Sequence, residues 1–232
     1  MKTIISDSKK VSENAAEHIK ALLEKKPEAV LAFSAGKSME GLFARLAEMC
    51  AAGGLSFAKA TVFAVTEFAE TDEELSCRRE LESRLLDKTD ILKENCFFPS
   101  EDGLKEYDEL IAGKGGIDLV VLGIGPAGQI GYNEPATPFG TMTHVQKLTD
   151  SSRKHLAERF GAEDRVPEKA VTMGIKTITE AKDIILIALG SGKAEAVHKM
   201  LYARNDSLVP AAYLQIPFNA TVYLDKEAAE KV

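Results

Sequence analysis

Four groups of residues have the types and spacing to do chemistry, and each follows a short apolar run. The most telling is Ile117 to Pro135, IDLVVLGIGPAGQIGYNEP. Its apolar start reads as a buried strand, and Gly123, Gly125 and Gly128 come directly after it. Glycines past a strand's carboxyl end let the backbone approach a ligand, because no Cβ intervenes. In open α/β sheets that end is where ligands bind. Gln129, Asn133 and Glu134 then supply polar groups, and Pro135 prevents a regular helix. The spacing Gly123-x-Gly125-x-x-Gly128 also fits a dinucleotide fingerprint. However, QIGYNEP cannot form the helix whose amino end would face a pyrophosphate, which excludes that reading.

Two further loops suit an anion. Ser34-Ala35-Gly36-Lys37-Ser38 follows the strand-like EAVLAF and opens into a helix, so free backbone N–H groups, the positive end of the helix dipole and a cation meet there. Leu31 stands where a Walker A motif needs its leading glycine, so this is not an ATP-binding loop. Gly190-Ser191-Gly192-Lys193 follows DIILIAL in the same way. A lysine in a helix's first turn opposes the dipole unless an anion sits there. Lys37 and Lys193 together therefore point to one phosphate pocket. The fourth group is Thr66-Glu67-Phe68, after ATVFAV. The acidic run that follows, Glu70 and Asp72 to Glu74, reads as a solvated face. Glu67, first after the strand, is the carboxylate placed to act as a base.

Parallel strands alternating with helices would bring these loops to one edge. Helices are expected over Val11–Leu23 (with Ser12 as cap), Ser38–Ala51, Glu73–Leu86, 103–113, Ser151–Phe160 and Ser191–Leu201. Strands are expected over Glu28–Phe33, Ala60–Val65, 117–122, Ile184–Leu189 and Thr221–Leu224. This alternation predicts an α/β fold: one doubly wound domain over residues 1–232, with a mostly parallel sheet and helices on both faces.

The 232 residues suffice for a substantial core. A net charge of −7 argues against nucleic acid or an anionic membrane as partner, so an anionic substrate needs a local cationic pocket. No apolar run reaches the ~20 residues of a membrane span, and MKTIISDSKK has no signal-peptide core. Cys50, Cys77 and Cys96 form neither a CxxC nor a Cys/His cluster, so no disulfide framework, metal or other cofactor is called for. A cytoplasmic protein with reduced thiols is expected.

With these loops side by side, the chain resembles the glucosamine-6-phosphate deaminase/isomerase family, which shares its fold with the 6-phosphogluconolactonases. The resemblance runs through SCRRELESRLLDKTDI, GGIDLVVLGIGPAGQIGYNEP, THVQKLTDSSRKHLAERF and VPEKAVTMGIKTITEAKDIILIALGSGKA. The ending Asn133-Glu134-Pro135 is typical of the deaminase branch. The resemblance implies a Rossmann-like domain of carbohydrate metabolism that opens a hexosamine 6-phosphate, moves a proton between C2 and C1, and releases ammonia. It implies Arg159 and Lys193 as cationic phosphate ligands beside Gly36, Lys37 and Ser38.

The catalytic pattern departs from the family's. Members carry D-G-H after the glycine turn, with a glutamate five residues beyond the histidine, and a DE pair at an earlier strand end. Here those read Ala127-Gly128-Gln129, Glu134 and Thr66-Glu67. Gln129 can hydrogen-bond as a neutral histidine does but cannot titrate. Thr66 is too weakly acidic to be a base without an activating partner. Glu134 remains, with Glu67 beside it as a second proton-handling candidate; His144, of the four histidines, stands in a segment able to approach. Where larger hexameric members have an allosteric arginine and lysine, this chain has His144 and Gln146, so that regulation is not carried over; a homo-oligomer stays open. The expected function is a divergent amino-sugar-6-phosphate deaminase/isomerase. The alternatives are a catalytically impaired sugar-phosphate-binding or sensing protein and, ranked below it, a 6-phosphogluconolactonase-like hydrolase.

Overall fold

Seven strands with apolar, mostly β-branched or aromatic centres make the middle layer. They are β1 (Lys2–Ser6), β2 (Val30–Phe33), β3 (Thr61–Ala64), β5 (Cys96–Phe97), β6 (Leu119–Leu122), β9 (Ile184–Ala188) and β10 (Ala220–Asp225). The structure, a computed structural model, describes residues 1–203, 206–217 and 219–232. The strand order is β1-β10-β9-β6-β2-β3-β5, and every neighbouring pair is parallel. A parallel sheet needs crossovers that cover both faces, and β2, β6 and β9 are buried at every residue.

Alternate strand residues divide between two cores, as the two-residue period of a strand requires. Ala32, Val120, Leu122 and Leu186 face α4 (Leu104–Gly113), α6 (Ile175–Thr179) and α7 (Ala194–Tyr202). Leu31, Phe33, Val121 and Ile185 face α1 (Ser8–Lys25), α2 (Glu40–Ala51) and α3 (Cys77–Arg84). The doubly wound α/β arrangement is as expected. The cap of α1 is not: the helix starts at Ser8, where the Asp7 carboxylate accepts from the Lys10 N–H at 2.9 Å. Ser12 is buried inside the helix instead.

A second sheet was not foreseen. β4 (Thr66–Phe68) leaves the end of β3 and pairs antiparallel with β8 (Lys169–Thr172), which pairs with β7 (His144–Lys147). Phe68, Leu148, Phe160 and Ala170 form its own small core, capped by α5 (Asp150–Phe160). This layer stands beyond the carboxyl edge of the main sheet and becomes one wall of the site.

At the opposite edge, Asp118 ties three segments together. Its carboxylate accepts from Lys26 Nζ at 2.7 Å, Lys182 Nζ at 2.8 Å and the Val30 N–H at 2.8 Å, and its side chain is 5% exposed. Burial opposes ionisation, but the bonds from Lys182, Lys26 and Val30 outweigh it and hold the carboxyl below its ordinary value. A depressed carboxyl stabilises the fold above its unfolded pKa, and that stability is lost as pH falls through the folded value. Asp118→Asn is therefore expected to lower stability at pH 7 by about 1–2 kcal/mol, a figure discounted because both lysines reach solvent. In urea denaturation the difference from wild type should shrink below about pH 4.

Candidate functional site

The strand order reverses direction between β2 and β6, and a cleft of about 800 Å³ opens at their carboxyl ends. In open α/β sheets, ligands bind at such a switch point. One end of the cleft is made by the two glycine turns. Gly36 (φ +130°) precedes a 3₁₀ turn, Lys37–Met39, that runs into α2; Gly190 (φ +85°) precedes the turn Ser191–Lys193, which runs into α7. In both, the positive φ lets the chain leave the strand end and present its next N–H groups.

Gly36, Lys37, Ser38, Arg159 and Lys193 all line this end. They differ in what else they hold. Lys37 is an exposed rim residue paired with Glu158 at 2.6 Å. Arg159 Nη2 donates to the Leu75 and Ser76 carbonyls at 2.7 and 2.8 Å, and its guanidinium pairs with the Glu80 carboxylate. Lys193, by contrast, has no carboxylate within ion-pair distance among the described residues, and burial pulls its pKa down. The Ser34 hydroxyl, in the same cleft, is buried and has no hydrogen-bond partner among them. A desolvated cation and an unused buried hydroxyl in one cleft are costly unless an anionic ligand completes them.

Between these turns, in the order of the sheet, stands the loop after β6. Gly123, Gly125 and Gln129 line the cleft. Gln129 is 5% exposed and its carboxamide is fixed on both sides: Oε1 accepts from the Ala127 N–H at 2.9 Å, while Nε2 donates to Glu134 Oε2 at 2.9 Å and Ser152 Oγ at 3.1 Å. A Cβ on residue 125 would collide with that carboxamide oxygen, so Gly125 is what admits the side chain. Glu134 lies behind Gln129, 3% exposed, and accepts from the Thr149 N–H at 3.1 Å and hydroxyl at 3.2 Å. Its carboxylate reaches the cleft through the Gln129 amide.

Three expected site residues play other parts. Glu67 faces a separate shallow depression, and its carboxylate accepts from the N–H groups of Phe68 (2.7 Å), Cys77 (2.9 Å) and Arg78 (2.8 Å). It therefore caps α3, which also receives the Ser76 hydroxyl on the Arg79 N–H, and it is not placed as a base. Asn133 is fully buried, and its Nδ2 donates to the Ile130 and Met173 carbonyls at 2.8 Å. It braces the loop from behind. Gly128 turns the chain at φ +81° against Val209, while Gly131 is this loop's third glycine on the cleft.

Thr66 does line the cleft, buried, with its hydroxyl donating to Cys77 Sγ at 3.6 Å. That thiol offers no base: burial, and then Glu67, push its pKa up to about 12. Tyr132, also on the cleft, is held protonated by burial. His144 is tied within its own segment, to the Met142 carbonyl at 3.0 Å and Gln146 Oε1 at 3.2 Å. The histidine that does line the cleft is His155. Burial, followed by the Lys193 cation, lowers its pKa and favours neutral imidazole. Its signal was present in the sequence: Ser152, His155 and Arg159 follow the three- and four-residue spacing that shares a helix face.

The family described as glucosamine-6-phosphate isomerases/6-phosphogluconolactonase matches residues 6–223. The chain belongs to this family. It is 37% identical to a glucosamine-6-phosphate deaminase of Colwellia psychrerythraea, over 100% of this chain and 90% of that one. It is 39% identical to the glucosamine-6-phosphate deaminase of Clostridium tetani, over 99% of each. A solved structure of a monomeric glucosamine-6-phosphate deaminase superposes with a TM-score of 0.97 at 34% identity, covering both chains completely. The 6-phosphogluconolactonase of Thermotoga maritima, at 16% identity and a TM-score of 0.76, shares the fold. No helix among the described residues is long and apolar enough to cross a membrane, and they contain no group of His, Cys, Asp or Glu able to hold a metal.

Removing the α3 cap tests the reassignment of Glu67. Glu67→Ala is expected to cost about 1–2 kcal/mol, measured by chemical denaturation, because it orphans N–H groups in the first turn. Glu67→Gln, which keeps an acceptor, should lose less.

Proposed function

We propose that the cleft binds a 2-amino-2-deoxyhexose 6-phosphate and that the chain acts on it as a divergent deaminase/isomerase, yielding the ketose 6-phosphate and ammonia. The observation that carries the binding half is Lys193: a desolvated ammonium with no carboxylate partner among the described residues, in the same cleft as the unused Ser34 hydroxyl and the Gly36–Ser38 turn. These groups suit a dianionic phosphate. In a chain of net charge −7, a local cation is the decisive attraction for an anion. The similarity to deaminases over the full chain supports the reaction class. It favours an enzyme of the deaminase/isomerase type over a hydrolase.

In this reading the phosphate lies against Lys193 and the 34–38 turn, and the sugar extends past Gly123 and Gly125 toward Gln129 and Thr66. Glu134 retains the carboxylate of the family pattern, and its charge acts through the Gln129 amide. Thr66 and Gln129 orient hydroxyl groups by hydrogen bonding and move no protons near pH 7. A specific observation favours the second reading, a protein that binds the sugar phosphate without turning it over: both Gln129 Nε2–H donors are already committed, to Glu134 and Ser152.

Ammonia release from glucosamine 6-phosphate and its galacto epimer decides between them. Wild type is expected to turn over slowly and Glu134→Gln not at all. The triple variant Thr66→Asp/Ala127→Asp/Gln129→His should gain about 10²–10⁴-fold, the usual scale of general acid–base catalysis. Absence of turnover together with ligand-induced thermal stabilisation would leave binding alone; absence of both would reject the site. Lys193→Ala should weaken ligand affinity by about tenfold or more, and Lys37→Ala by less, since Lys37 is solvated and already paired.

A further inference from the structure

One carboxylate stands where the proposed ligand's phosphate should be. Glu80 projects from α3 into the cleft with a side chain only 11% exposed. Its Oε1 accepts from the Gly36 N–H at 3.0 Å, and its Oε2 pairs with the Arg159 guanidinium. A backbone N–H at a glycine turn leading into a helix, and an arginine fork facing it, are the contacts a phosphate makes. We infer that Glu80 is an internal counter-anion that fills one half of the phosphate cradle, and that an incoming sugar phosphate must displace it from Gly36 and Arg159. The inference rests on the proposed phosphate site and adds its built-in competitor.

Glu80 is positioned for such an exchange. The start of α3 is fixed from two directions, by the Glu67 cap and by Arg159 on the Leu75 and Ser76 carbonyls, so the helix itself stays put while the side chain turns. A second cation already flanks it: Arg84, paired with Glu40 at 2.6 Å, has its Nε 3.6 Å from Glu80 Oε1 and can keep the carboxylate when it leaves Gly36 and Arg159. The other half of the cradle has no such competitor among the described residues: Lys193 has no ion-pair partner and the Ser34 hydroxyl no hydrogen bond. A ligand can therefore dock there first and then take over Gly36 and Arg159 as Glu80 swings to Arg84.

A purely structural brace looks different in this fold. Asp225 accepts from the Gly190 N–H at 2.9 Å, in the equivalent turn, but it also holds the Ser8 hydroxyl at 2.9 Å and the Ala228 N–H at 2.8 Å. It is buried and does not line the cleft. Glu80 combines the same loop contact with two arginines and a place on the cleft wall.

The test is calorimetric titration of wild type and Glu80→Gln with inorganic phosphate and with glucosamine 6-phosphate. The glutamine keeps an acceptor for the Gly36 N–H and removes the charge. Glu80→Gln is expected to bind both about tenfold more tightly than wild type. Equal or weaker binding by the variant, with wild type binding normally, overturns the inference and leaves the proposed function standing. Absence of binding to either protein overturns both. Should the variant fail to fold, a crystal of wild type with glucosamine 6-phosphate decides. Phosphate on the Gly36 N–H, with Glu80 turned to Arg84, bears the inference out; Glu80 still on Gly36 and Arg159 overturns it.

Discussion

The common direction of the seven strands is the constraint on which the rest depends. Parallel strands buried on both faces have all their carboxyl ends at one edge, so loops distant in sequence are brought together there without any interaction of their own. The turns at residues 34–38, 123–129 and 190–193 meet because β2, β6 and β9 are adjacent in the sheet. Core and site are thereby separated: packing acts within the layers, chemistry at their rim. Asp118, with its two lysines, closes the opposite rim, where the same strands begin.

The second sheet and α5 convert this edge into a cleft. β4 carries Thr66 out of the main sheet, and α5 lays His155 and Arg159 along the facing wall. The contacts there form a chain. Glu67 starts α3, Arg159 grips the same helix start, Glu80 reaches from it to Gly36, and Gly36 begins the turn into α2. Most of these bonds are charged groups on backbone donors or acceptors, which are short and directional, and they fix the wall more firmly than the small apolar core around Phe68 could alone.

The five central strands of the main sheet were legible because burial on both faces leaves continuous apolar runs such as VLAF, LVVL and IILIA. The edge strands β1 and β5, more exposed or only two residues long, were not. The small sheet was not. TEF, HVQK and KAVT are three or four residues long with polar members, and their pairing is set by position in the fold, not by pattern. Among the residues singled out on glycine turns after strong strands, Gly36, Lys37, Ser38, Gly123, Gly125 and Lys193 line the cleft, while Gly128 does not. Glu67 was misread because being first after a strand does not reveal that a helix will begin beside it and claim its carboxylate. His155 lies on no strand-end loop; only the helix face that Ser152 and Arg159 mark out points to it.

The fit of Gln129 against Gly125 also bears on how such a site can change over generations. The space that Gly125 leaves is shaped for a planar side chain folded back over the turn, and the backbone groups around it serve a carboxamide here. An imidazole is also planar and of similar reach, and the codons for glutamine and histidine differ at a single base. The scaffold thus stands one nucleotide from a titratable group at the inner wall of the cleft. The chemistry at this point is more easily altered, in either direction, than the fold that presents it.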